Sequence, residues 1–81
     1  MFELVACEKT LLDEIANKDL KKIDVARTYA MAIKSSESRL VDWKKVNQAI
    51  MDRWGTGSLS WVKTVAWQFV DGKREFTRKV G

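Results

Sequence analysis

The sequence contains no proline, and its four glycines lie only at positions 55, 57, 72 and 81. The first 54 residues therefore contain neither of the two residues that most strongly interrupt an α-helix. A chain of 81 residues has room for one hydrophobic core, so a single domain built mainly from helices is expected over 1–81. The apolar content of 46% and the charged content of 32% are typical of a chain that folds.

The spacing of apolar residues predicts two helices in the first half of the chain. Helix one is expected over about residues 3–17, where apolar residues recur at steps of three and four. Thr10 followed by Asp13 is similar to a capping box, which leaves open a start at residue 10. Helix two is expected over about residues 20–34, with Asp19 as its N-cap.

Two further helices are predicted in the second half. Helix three is expected over 43–54, and its apolar stripe carries Trp43 and Trp54, which are predicted to be buried in the core. A turn at residues 55–57 follows, because glycine interrupts the helical pattern there. Helix four, over about 59–70, is apolar around most of its circumference, which predicts the most buried element.

The end of helix four leaves two folds open. Asp71-Gly72 is both a suitable helix stop, with glycine in the left-handed region, and a common two-residue hairpin turn. With the helix stop, the protein is an all-α bundle of four helices followed by a basic C-terminal segment at 71–81, and we favour this fold. With the hairpin, residues 67–70 and 73–80 would be strands, and the fold would approach a winged helix.

The residue types present exclude several classes of site. The sequence has no histidine and a single cysteine, Cys7, so it lacks the commonest zinc and haem ligand and forms no internal disulfide. No paired carboxylates, activated nucleophile or phosphate-binding loop stand out, so we expect no metal, no cofactor and no catalytic residue. Since no apolar run approaches the roughly 20 residues that span a bilayer, we expect a cytoplasmic protein, or a nuclear one in a eukaryote, without a membrane partner.

Charge is unevenly divided along the chain. Residues 1–42 carry seven lysines and arginines against eight acidic residues, whereas residues 43–81 carry eight against three. The basic half also contains all four tryptophans, and this mixture favours a nucleic-acid-binding surface, because cations neutralise phosphates and aromatic rings stack on bases. The predicted nucleic-acid-binding residues are Lys44, Lys45, Arg53, Thr56, Ser58, Ser60, Lys63, Thr64, Gln68, Lys73, Arg74, Arg78 and Lys79.

Residues 47–65 resemble a helix-turn-helix unit, with residues 55–57 as a turn of suitable length and glycine content. Its inward positions would be Ile50, Trp54, Trp61 and Val65. The sequence departs from the pattern where Met51 replaces a small residue and Trp61 an aliphatic one. The resemblance implies a DNA-binding module whose helix four enters the major groove. The polar side of that helix carries Ser60, Lys63, Thr64 and Gln68.

A protein-interaction or assembly module is the second hypothesis. Trp61 and Trp67 are six residues apart, about 600° around a helix, so they cannot both face the same interior. Trp67 lies beside the polar side of helix four and is the predicted partner-binding residue, because tryptophan is a frequent anchor of interfaces. Under this hypothesis the partner is another protein or a second copy of the chain, and the basic residues serve solubility.

Overall fold

The computed structural model describes residues 6–73. Within that range the chain forms α1 (Ala6–Ala16), α2 (Lys22–Lys34), a 3-10 turn (Ser38–Leu40), α3 (Trp43–Trp54) and α4 (Thr56–Val70). No strand occurs in this part of the chain, so the predicted all-α fold is confirmed. The alternative start of α1 at residue 10 is wrong, because residues 6–9 are already helical. The start predicted at residue 3 lies outside the described residues.

The four helices form a ring around one core. α1 packs on α2 and α3, and α4 packs on the same two helices, most extensively on α2. The carboxylate of Glu8 accepts the main-chain N–H of Asp42 near the beginnings of α1 and α3, at 2.7 Å. Arg53 donates to the carbonyl of Ile15 near the ends of the same helices. α1 and α3 therefore run side by side in the same direction, and α4 lies across the ring from α1.

The core contains aliphatic side chains from all four helices. Its largest fully buried members are Leu11, Val25, Val46, Ile50 and Val62. α2 and α4 also bury alanines completely, at Ala26, Ala30 and Ala66. Small side chains let two helix axes approach closely, which fits the extensive contact between α2 and α4.

α2 begins at Lys22, two residues after the predicted start at residue 20. The main-chain N–H of Lys21 donates to Oδ2 of Asp24 at 2.9 Å, so a carboxylate inside the first turn secures this end of the helix. The predicted N-cap, Asp19, instead donates its own N–H to Oδ1 of Asn17 at 3.0 Å. Asp19 therefore belongs to the turn after α1, and its prediction as an N-cap is wrong.

α3 has the predicted span, but its connection to α4 is a single residue, Gly55. The φ of Gly55 is 98°, in a region that side-chain-bearing residues rarely adopt, and its N–H donates to the carbonyl of Met51 at 2.8 Å. Residues 56 and 57 lie in the first turn of α4, so the turn predicted at 55–57 is too long. A helix-turn-helix unit has a turn of about three to four residues. The observed connection therefore lends that resemblance no support.

Asp71-Gly72 ends α4. Gly72 has a φ of 80°, its N–H donates to the carbonyl of Phe69 at 3.2 Å, and the N–H of Lys73 donates to that of Gln68 at 2.8 Å. These two bonds form a Schellman motif, which satisfies carbonyls at the end of the helix. Residues 67–70 are helical, so the winged-helix alternative is wrong at its first strand. Residues 74–81, which hold most of its second strand, lie outside the described residues.

Tyr29 joins α2 to α3 inside the core. Its hydroxyl donates to Oδ1 of Asn47 at 2.8 Å, and its ring centroid lies 4.8 Å from that of Trp43. Burial raises the pKa of Tyr29 to about 12 from its ordinary value of 10.0. The folded protein therefore keeps this proton at pH values where the unfolded chain loses it.

We expect the folded state to lose stability as the pH rises from about 10 through about 12. The contribution of Tyr29 is fully present below the unfolded pKa and is lost above the folded one, because ionisation then requires charge in the core. Between about pH 9 and about pH 12, the free energy of unfolding should fall by roughly 2 kcal/mol more in the wild type than in Tyr29→Phe. Urea titrations of both proteins measure this difference, and equal falls would contradict the assignment.

Candidate partner-binding face

α4 buries one side and exposes the other. Val62, Val65, Ala66 and Phe69 are buried. Apart from Trp61 at its edge, the exposed residues recur at steps of three and four and share one side of the helix, which we call the α4 face. The α4 face consists of Thr56, Gly57, Ser60, Lys63, Thr64, Trp67 and Asp71. Gly57 and Asp71 are not among the predicted site residues, although they continue the spacing of Ser60, Thr64 and Trp67 in both directions.

Trp67 is the largest side chain of the α4 face and is 51% exposed. This confirms the predicted exposure of Trp67. Trp61 is 41% exposed, at the edge of α4 beside α2, and the ammonium of Lys22 lies 5.2 Å from the centre of its ring. The inward position predicted for Trp61 is therefore wrong. A cation–π contact with Lys22 covers part of Trp61, and Trp67 is the more exposed of the two indoles.

Trp43 and Trp54 are half-buried and pack against the edge of the core. The indole N–H of Trp43 donates to the carbonyl of Ser38 at 2.8 Å, which satisfies its polar atom. The guanidinium of Arg53 lies 4.2 Å from the centre of the Trp54 ring. The prediction that both indoles lie in the core is right only for the part of each ring that faces inward.

Arg53 connects the end of α3 to the end of α1. Its guanidinium donates to the carbonyl oxygens of Ile15 at 2.7 Å, Leu20 at 2.9 Å and Glu14 at 3.4 Å. Carbonyls in the last turn of a helix have no partner within the helix, so Arg53 supplies hydrogen-bond donors to carbonyls at the end of α1. Arg53 is a predicted nucleic-acid-binding residue, but these hydrogen bonds hold its guanidinium against the main chain, where it joins parts of the bundle.

The side chain of Ser58 also forms a hydrogen bond within the bundle. It is buried, and its hydroxyl donates to the carbonyl of Trp54 at 2.9 Å, across the connection between α3 and α4. Among the other predicted residues of α4, Thr56, Ser60, Lys63 and Thr64 are exposed and Gln68 is half-buried. The structure therefore brings Ser60, Lys63 and Thr64 together on the α4 face but not Ser58.

The remaining predicted cations lie elsewhere. Lys44 and Lys45 are exposed near the beginning of α3 and line an open groove of about 510 Å³, together with Leu12 of α1. Asp42 and Asp52 line the same groove, so its charge is mixed. Lys73 is exposed just after α4. Three more predicted cations lie outside the described residues: Arg74, Arg78 and Lys79.

Neither a metal site nor a membrane-spanning helix is found in residues 6–73. No group of three cysteine, aspartate or glutamate side chains there lies close enough to hold a metal ion. Each helix of this range is too short or too polar to cross a bilayer. Comparison with protein-family models, with curated proteins and with solved structures gives no significant match.

Proposed function

We propose that this protein is an interaction module that binds a protein partner through the α4 face, with Trp67 as the anchor. The observation that supports this proposal most strongly is the half-exposed indole of Trp67 on a helix face with one cation and one anion, and therefore no net charge. Tryptophan is enriched among the residues that dominate binding energies, and the centres of interfaces are depleted in charged residues. Burying the exposed half of this ring on a partner would remove apolar surface from water.

The charge of the α4 face favours a protein over a phosphate backbone. Lys63 is the one cation of this face, and Asp71 at its C-terminal end would repel phosphate. Interfaces with duplex DNA are much more positively charged than interfaces between proteins. Ser60 and Thr64 add short hydroxyl side chains, which leave room for a partner to approach the helix.

Nucleic-acid binding is the second candidate function, and the charge of the sequence supports it. Residues 43–81 carry eight lysines and arginines against three acidic residues. On the α4 face, Lys63 would contact phosphate, and the hydroxyls of Ser60 and Thr64 would contact phosphate or base edges. The helix-turn-helix unit predicted from the sequence at residues 47–65 belongs to this second proposal.

Replacing Trp67 with alanine is expected to weaken partner binding by roughly 30-fold, the effect of removing a central interface tryptophan. A quantitative pull-down from an extract of the source cells, with tagged wild type and variant as baits, measures this loss. Met31→Ala is the matched control, because Met31 is 54% exposed but lies on α2, where it lines a different groove with Cys7 and Thr10 of α1. Recovery of the same proteins by wild type and Trp67→Ala would overturn the proposal.

Titration of the same proteins with random duplex DNA at two salt concentrations separates the two candidates. Binding to phosphates weakens steeply as salt rises, whereas an apolar contact between proteins does not. Under the first proposal, Lys63→Ala leaves any salt-sensitive binding to DNA unchanged. Salt-sensitive binding that is lost in Lys63→Ala and kept in Met31→Ala would replace the first candidate with the second.

A further inference from the structure

We propose that the partner of the α4 face is a second copy of this chain, and that the two α4 helices pack antiparallel about a twofold axis. This inference rests on the proposed function, since it names the partner of the same face. Gly57, Ser60, Thr64, Trp67 and Asp71 follow one another at steps of three, four, three and four. Residues at these steps lie along one line of the helix surface, and all five are exposed in the single chain.

Side-chain size favours the antiparallel direction. Gly57 and Ser60 occupy the first half of α4, and Trp67 occupies the second half. With a twofold axis between residues 63 and 64, Trp67 of each copy lies opposite Ser60 of the other, so one favourable contact is made twice. No atom lies within 4 Å of a Cβ built on Gly57, which leaves space beside Ser60 for the indole. A parallel pair would instead place Trp67 against Trp67 and leave a gap between the small residues.

The charged residues of the α4 face also bear on this antiparallel register. Asp71 of one copy lies opposite Thr56 of the other, the first residue of α4. The N-terminal end of a helix carries partial positive charge, so a carboxylate is stabilised there. Lys63 lies at the edge of the seam, close to the axis, so the pair brings two lysines to the same edge. Their repulsion opposes pairing, and replacing Lys63 with alanine removes it.

The size of the face predicts a weak dimer. α4 has 15 residues and is therefore about 22 Å long. Stable interfaces between proteins usually bury about 1,200–2,000 Å², and one pair of helices of this length is small by that standard. We therefore expect a dissociation constant between about 10 μM and about 1 mM, so that the dimer forms at high protein concentration.

Sedimentation equilibrium of the full chain, from about 10 μM to about 1 mM, tests the pairing over the expected range. The wild type should show a monomer–dimer equilibrium whose dissociation constant rises by roughly 30-fold in Trp67→Ser. Met31→Ser should leave the constant unchanged. Lys63→Ala should lower it, in contrast to the loss of affinity that nucleic-acid binding predicts for the same variant. Circular dichroism checks that each variant keeps its helices.

Exchange of the two opposing residues tests the register. The double variant Ser60→Trp with Trp67→Ser places the indole at position 60, where the antiparallel pair meets position 67 of the other copy. Its dissociation constant should be lower than that of Trp67→Ser, since the indole of each copy again lies opposite a serine of the other. No recovery of affinity, or a wild type that sediments as a monomer throughout, would overturn the antiparallel pair.

The two proposals fail in different ways. A monomeric wild type that still recovers other proteins in a Trp67-dependent manner leaves the α4 face as an interaction surface and excludes the second copy as its partner. A Trp67→Ala variant that changes neither sedimentation nor protein recovery removes both proposals.

Discussion

Phe69→Ala should lower the free energy of unfolding by about 3–5 kcal/mol, the usual cost of truncating a buried phenylalanine. Phe69 is 3% exposed and belongs to the core, and the guanidinium of Arg27 lies 5.9 Å from the centre of its ring. Truncation removes apolar contacts and leaves a cavity in a tightly packed part of the bundle. Since a small domain has about 5–15 kcal/mol of stability in total, this loss is a large fraction of it.

Trp67→Ala is the matched control, because it removes a larger aromatic ring from the same helix two residues earlier. Half of that ring already lies in water, so we expect a smaller loss, of about 1–2 kcal/mol. Urea denaturation followed by far-ultraviolet circular dichroism measures both variants. Similar losses of stability in the two variants would mean that the buried and exposed sides of α4 are assigned incorrectly.

Arg53→Met should destabilise the bundle by roughly 2–4 kcal/mol. A hydrogen bond from a charged donor contributes about 1.5–3 kcal/mol, and Arg53 makes two short ones, to the carbonyls of Ile15 and Leu20. Methionine keeps much of the apolar stem but supplies no donor, so carbonyls at the end of α1 lose their partners. Arg53 is only half-buried, so solvent replaces part of what its donors supply and the loss stays below the sum of the separate bonds.

Thermal and urea denaturation measure the effect of Arg53→Met. Lys45→Met is the control, since Lys45 is an exposed cation on the same helix and its replacement should change stability by at most about 0.5 kcal/mol. Arg53→Lys should recover less than half of the loss, because one ammonium cannot direct separate donors at two carbonyls as a guanidinium does. Full stability in Arg53→Met would show that the carbonyl contacts contribute nothing to the fold.

The helices themselves follow from local features of the sequence. Apolar residues at helical spacing and the absence of proline and early glycine predict four helices, and the bounds of α3 agree with the prediction. The end of α4 is also local, because Gly72 adopts a positive φ and the bonds that close the helix span five residues or fewer. Helical periodicity also predicts that Trp61 and Trp67 point in different directions, although both indoles are exposed in the structure.

The functional assignment of polar side chains depends on contacts between distant parts of the chain. Arg53 lies in the basic half of the sequence and is therefore predicted to bind phosphate. In the structure its guanidinium donates to the carbonyl of Ile15, 38 residues away. Trp61 appears inward by its spacing, but the packing of α2 on α4 places it at the edge beside Lys22. Periodicity along one helix specifies relative direction only, and the position of neighbouring helices decides which directions are covered.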